Sequence, residues 1–249
     1  MRDRRASLRI VGAGACTILL WQAGSNSGLL PPLYLPSPLG IVSSYRAQLA
    51  WGALSTTART LAGYVAGVLI AYLAHVVCLS TGWDRHLDAQ FTGARAVPVI
   101  AVLPLFTIWF GFREVGRLLV VTLATAAFFV APLHEAYGLL PRQWAMLRRQ
   151  VPLTLARYYL SVVVPGTLPA LAAALRVSLA IAFTMAIASE YVGAQIGIGK
   201  FLDSARITFN VPAIFLALFV CSMIGIGLDR LLMQMYRYCV PWTGKQSKL

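Results

Sequence analysis

Six long apolar runs set the pattern of the chain, separated by shorter polar and proline-bearing stretches. A helix needs about 20 largely apolar residues to cross the hydrocarbon core of a bilayer. Runs of that kind are predicted over about residues 8–23, 60–79, 96–112, 118–140, 168–189 and 211–235. The first is short. The third contains Pro98 and Pro104, which a membrane helix tolerates when its neighbours satisfy the freed carbonyls. The predicted fold is therefore an all-α integral membrane protein, a single domain over residues 1–249. "MRDRR" ahead of the first run is also the form of a secretory leader. No small-x-small cleavage site stands out near "WQAGSNSG", so this run is read as a span.

The longest polar connection, residues 141–167, has a pattern of its own. "RQWAMLRRQ" and "LARYYLSVVV" set aromatic and aliphatic residues beside four arginines. Such a segment predicts an amphipathic helix resting on anionic lipid or lying in a partner's groove. "LLPPLYLPSPLGIVSSY" reads as a proline-rich loop ordered against the membrane face.

Composition agrees with the pattern. Of 249 residues 59% are hydrophobic and 12% charged, with a mean hydropathy of +0.73; soluble domains carry about a quarter charged residues. The charge itself is lopsided, 21 Lys+Arg against 8 Asp+Glu, for a net +13. In a polytopic protein such an excess marks cytoplasmic loops, and no basic cluster interleaved with aromatics points to nucleic acid. With the N-terminus inside, 14 of the 21 cations fall on the cytoplasmic side and 5 on the other, leaving out Arg59 at the outer edge of the second span and Arg176 inside the fifth. Both termini are expected in the cytoplasm.

Candidate chemistry is sparse. There is no GxxxxGK[ST] loop for nucleotide phosphates and no GxSxG elbow. Cys16, Cys78, Cys221 and Cys239 lie far apart, and His75, His86 and His134 form no metal-ligand spacing. A proton-coupled carrier needs a protonatable group deep in the membrane. Glu114, Glu135 and Glu190 sit near span ends instead, and Asp229 adjoins Arg230, where local pairing or a helix-end role is expected. The energy for any transport would come from another subunit.

Six stretches in consistent order resemble one family. They are "LYLPSP" (Leu33 to Pro38), "TTARTLAGYVAG" with Arg59, Gly63 and Gly67, "VPVIAVLPLFTIWFGF" (Val97 to Phe112), "VVVPGTLPALAAALR", "ASEYVGAQIGIGKFL", and "GLDRLLMQMYRYCVPW" with Asp229, Arg230, Pro241 and Trp242. Together they resemble the permease subunit of binding-protein-dependent ABC importers of the sulfonate, nitrate and taurine type. The resemblance implies six membrane helices, a dimer with a second copy or a sister permease, two copies of a separate ATPase that binds the ATP, and an extracytoplasmic binding protein. It implies no enzyme activity, cofactor or metal in this chain, and a place in the bacterial inner membrane. It also implies a coupling helix near residues 142–160, with Arg148, Arg149, Arg157, Tyr158 and Pro165 at the ATPase contact. One departure stands out: the region reads "WAMLRRQVPLTLARYYLSVVVP", and the family's Glu-Ala-Ala…Gly element has no counterpart in it. That departure motivates a second reading, a noncatalytic scaffold or regulator descended from a permease.

Expectations for the pathway follow. Arg59, Trp109, Arg176 and Glu190 are its candidate residues. Arg59 and Arg176 would make it electropositive and favour an anion, although Arg176 can equally snorkel to the headgroups. Trp109 reads as an interfacial anchor. Pro165 and Pro169 are expected to end the coupling helix and turn the chain into the fifth span, since proline removes a donor and disfavours helix before it; Pro169 in the first turn of that span is equally compatible. Ala170, Ala173, Ala174 and Ala180 are expected to be a close-packing face.

Overall fold

Hydroxyl side chains carry the longest helix past the apolar run that predicts it. The computed structural model describes residues 16–17, 19–27, 34–81, 99–141, 143–144 and 154–241. Within them, α1 (19–26) and α2 (Pro38–Ser43) lead into α3 (Ala47–Thr81), which begins well before residue 60. Thr56, Thr57 and Thr60 each return their hydroxyl to the carbonyl four residues back, at 2.9, 2.7 and 2.8 Å. These polar residues then cost the helix no unsatisfied group in an apolar setting, and hydropathy alone does not register the extension.

A 3-10 turn (Val99–Val102) opens α4 (Leu103–Phe110), and α5 (Glu114–Gly138) follows. The expected third span differs here. Its described part is a 12-residue apolar stretch, Val99–Phe110, and Pro104 stands in the first turn of α4, where its missing N–H has no partner to lose. After residue 154 come α6 (Leu155–Tyr158), a π turn (Tyr159–Val163) and α7 (Val164–Thr167), then α8 (Ala172–Tyr191), α9 (Ile198–Ile207) and α10 (Val211–Cys239). No strand occurs among the described residues. Among the described residues four helices, α3, α5, α8 and α10, have the length and composition to cross a membrane. At about 1.5 Å per residue α3 is roughly 52 Å long, more than the hydrocarbon thickness.

The bundle is built on α3 against α5. A Cβ on Gly63 would lie 2.5 Å from Val121 Cγ1, and one on Gly67 would lie 2.5 Å from Thr125 Cβ. The two glycines let the helix backbones approach as small residues do in membranes. Helix α8 lies against both, and Tyr64, Val120, Val121, Ala124, Leu179, Ala182, Met185 and Ala186 form the shared core. Further along, Ala71, Phe129, Leu133 and Leu171 make a second layer.

Much apolar surface is left uncovered by the chain itself. Leu54, Leu61, Val65, Leu69, Leu73 and Val77 form an exposed stripe down α3. Only 17% of the most apolar window of α10 is buried, so most of its cover must come from lipid or another chain. Of the alanine face expected to pack, Ala174 lies against the second layer, while Ala170, Ala173 and Ala180 are exposed, and α8 turns Ser178, Ala182, Ala186 and Ser189 inward.

Candidate functional site

Three spanning helices and the start of α9 bring four charges together at one end of the bundle. Arg59 comes from α3, Glu114 and Arg117 from the first turn of α5, and Glu190 from the last turn of α8. Arg59 donates through Nη1 to Glu190 Oε1 and through Nε and Nη2 to Glu114 Oε2, at 3.0 and 2.8 Å. Its Nη2 also reaches Ser55 Oγ at 3.2 Å. Arg117 donates to Glu114 Oε1 at 2.6 Å and to the carbonyls of Phe112 and Gly193 at 2.5 and 3.3 Å. Buried charges persist where they are paired and their remaining donors and acceptors are satisfied, and this group meets both conditions.

The second oxygen of Glu190 holds α9 in place. Oε2 accepts the Gly199 N–H at 3.0 Å, and Thr56 Oγ1, 2.8 Å away, in turn accepts the Ile198 N–H at 3.0 Å. The orphan N–H groups that open a helix are thus met by side chains from α8 and α3, and the carboxylate lies at the positive end of the α9 dipole. Gly197 has φ +153°, and a Cβ there would run into the Glu190 carboxyl; glycine is required on both counts. The side chain of Glu190 is wholly buried, whereas that of Glu114 is 67% exposed. Glu114 faces a groove of about 390 Å³ lined also by Ser55, Ala58, Ala62, Val115 and Leu118.

The other predicted pathway residues lie elsewhere. Arg176 grips Asp229 of α10 in a two-pronged pair, Nε–Oδ1 2.6 Å and Nη2–Oδ2 2.7 Å, with 52% of its side chain exposed. The partner of Asp229 is therefore Arg176 across the α8–α10 contact, not its neighbour Arg230. Trp109 is exposed on α4 with its ring 5.8 Å from Phe106. Arg59 and Glu190 meet; Arg176 and Trp109 do not join them. Neither arginine stands as an unbalanced cation.

Of the predicted coupling residues, Arg148 and Arg149 lie outside the described residues. Arg157 lies within α6, Tyr158 ends it and is buried, and Pro165 stands in the first turn of α7. Here the structure corrects the expectation that Pro165 ends a helix. Helical backbone continues from Leu155 to Thr167, and the adjustment is the π turn, in which the Val164 N–H bonds the Tyr159 carbonyl. Pro165 has no N–H for the Ser161 carbonyl and its ring crowds that group; an i→i+5 turn relieves the conflict. The chain turns only over residues 168–171, which include Pro169, before α8 begins at Ala172.

The spanning helices, long and apolar enough to cross a membrane, suit an integral membrane component, and the chain belongs to the family of binding-protein-dependent transport system inner membrane components, whose model matches residues 63–245. It is similar to the riboflavin transport system permease protein RibX of Chloroflexus aurantiacus, 30% identical over 90% of this chain and 86% of the relative. The putative aliphatic sulfonates transport permease protein SsuC of Escherichia coli is 27% identical, with 91% and 88% covered. The formylaminopyrimidine transport permease protein ThiX of Halalkalibacterium halodurans is 25% identical, with 92% and 93% covered. In fold, the chain resembles an inward-facing form of the MetNI methionine ABC transporter, with a TM-score of 0.53, 17% identity and coverage of 74% and 95%. The chain is thus a permease component of the ABC importer class, whose ATPase is a separate subunit.

Proposed function

We propose that this chain lines the translocation pathway of an ATP-driven importer for a small solute, as one half of a permease dimer. Two copies of the ATPase close on it from the cytoplasm, and an extracytoplasmic binding protein supplies the solute. The work is a population shift between inward- and outward-facing packings, biased by the partners. The observation that carries this reading is the helical segment Leu155–Thr167. It packs on α3 through Tyr158, Tyr159 and Val163 and turns directly into α8. A displacement applied to that segment reaches two spanning helices at once. The excess of cations on one side supports cytoplasmic termini, which puts the Arg59–Glu190 group at the outer face and Arg157, Tyr158 and Pro165 at the cytoplasmic one.

The solute is a small organic molecule or anion, a sulfonate, taurine or nitrate being the finer reading. Relatives named for aliphatic sulfonates support it, while others are named for riboflavin and formylaminopyrimidine. Arg59 and Arg176 act here through their carboxylate partners, so selection rests mainly with the binding protein. Reconstitution of the chain with its ATPase and binding protein in proteoliposomes tests the reading, with riboflavin, ethanesulfonate, taurine and nitrate offered in turn. Uptake that requires hydrolysable ATP supports it. Uptake driven by an ion gradient without ATPase overturns it, and a stable complex that moves none of the four favours the scaffold. Full uptake and affinity for an anion in Arg59→Gln and Arg176→Gln would remove both arginines from the pathway.

A further inference from the structure

About 16 residues along α3 from Arg59, roughly 24 Å at the helical rise, a second polar cluster is buried that the charged group does not involve. Tyr159 Oη, in the π turn, lies 2.7 Å from His75 Nδ1 on α3 and 3.3 Å from the Tyr72 carbonyl. His75 is wholly buried, and its Nε2 lies 3.4 Å from His134 Nδ1 on α5. The Tyr137 ring meets the His75 ring at 5.1 Å and the Tyr72 ring meets the Tyr159 ring edge-on at 6.2 Å. Two proton arrangements satisfy the chain of contacts. Either Tyr159 donates to His75 Nδ1 and Nε2–H turns to His134, or Nδ1–H donates to Tyr159, whose own proton goes to the Tyr72 carbonyl.

Around this bond the contact of the segment with α3 is apolar, through Tyr158, Val162, Val163, Val76 and Leu79. Apolar burial is non-directional and leaves a helix free to slide or rotate on its neighbour. A buried hydrogen bond is directional, and breaking it strands a polar group in a low-dielectric site. The bond gives the segment a directional contact on α3, and it reaches α5 through His134.

We propose that the Tyr159–His75 hydrogen bond is a positioning contact for transport, locking the Leu155–Thr167 segment to α3 and α5 so that a displacement given to the segment moves those helices with it. The proposal rests on the permease reading above. Tyr159 and His75 touch no nucleotide or solute; they act through the segment.

Spin labels test it. Cysteines replace the exposed Leu160 and Leu73 in a chain whose four native cysteines are removed, and labelled chain is diluted with unlabelled so that the distance read is within one copy. The assembled complex with its ATPase and binding protein is measured with ADP and after trapping with ATP and vanadate. The unaltered pair is expected to hold one distance in both states. Tyr159→Phe, which removes only the hydroxyl, is expected to keep that distance with ADP and to shift or broaden it by about 1–2 Å or more with ATP, the scale of helix displacements at packed switches. His75→Leu should do the same. A distance that changes with nucleotide in the unaltered pair, stays constant in both variants, or shifts equally in both states overturns the proposal. Failure of the chain to bind any ATPase sinks the permease reading itself and the proposal with it, an outcome distinct from the others. Should Tyr159→Phe not assemble, His75→Leu carries the loss of the bond, and His75→Asn, which keeps a polar atom near Nδ1, is expected to restore the constant distance; a shift in His75→Asn equal to that in His75→Leu overturns the proposal.

Discussion

Arg59 and Glu190, 131 residues apart in the chain, form a buried ion pair that ties α3 to the end of α8 and, through the second carboxylate oxygen, to the start of α9. Its partners are specific enough for each contribution to be tested separately.

Removing one side of the pair leaves the other buried without its partner, which costs about 3–5 kcal/mol in comparable sites. Glu190→Ala is expected to lower the melting temperature of the detergent-solubilised protein sharply, and Arg59→Met likewise. The double variant should lose less than the sum of the two. Strict additivity in a thermal-shift series would show that the residues do not depend on one another.

Gly197→Ala forces a side chain into a φ of +153° and against the Glu190 carboxyl. A loss of about 1–3 kcal/mol is expected. Gly138→Ala, where an added Cβ meets nothing within 4 Å, should be neutral or stabilising by up to about 1 kcal/mol. Equal effects of the two changes on unfolding would contradict this geometry.

Gly63→Leu and Gly67→Leu wedge α3 away from α5 at Val121 and Thr125. Overpacking of this kind costs about 1–3 kcal/mol. The expected readout is a lower yield of monodisperse protein and a lower melting temperature, with Leu61→Ala on the exposed stripe serving as a control of little effect.

Arg176→Gln and Asp229→Asn break an exposed pair, and solvent or headgroups can replace each partner. No measurable change in melting temperature is expected from either. A large drop would mean that the α8–α10 contact depends on this bridge.

The apolar runs made the spanning helices legible, and the Arg, Glu and Gly residues of the charged group were all visible as single letters. Their pairing was not. A charge in an apolar run calls for a partner, yet Arg59 finds one 55 residues away and the other 131 away, beyond any local pattern. One signal was available: the predicted topology puts Arg59, Glu114, Arg117 and Glu190 at the same end of their spans, two of each sign. Helix α9 has no Ser, Thr, Asp or Asn just before it to announce its start, because its first turn is capped by Thr56 and Glu190 from other helices. In the 155–171 region the prolines did announce a departure from regular helix. Its form, a π turn before Pro165 and a bend after Thr167, follows from which carbonyls find donors.

The π turn also acts as an index mark. An i→i+5 loop encloses one residue more than an i→i+4 loop, so the segment carries a surplus residue for the turns it makes. Deleting the exposed Leu160 would close that turn to an i→i+4 one and leave Arg157 and Tyr158 near the face they now present, whereas the same deletion from regular helix would rotate everything before it by about 100°. The surplus residue between Tyr158 and Pro165 thus lets the helix run past a proline while both of its ends keep their faces.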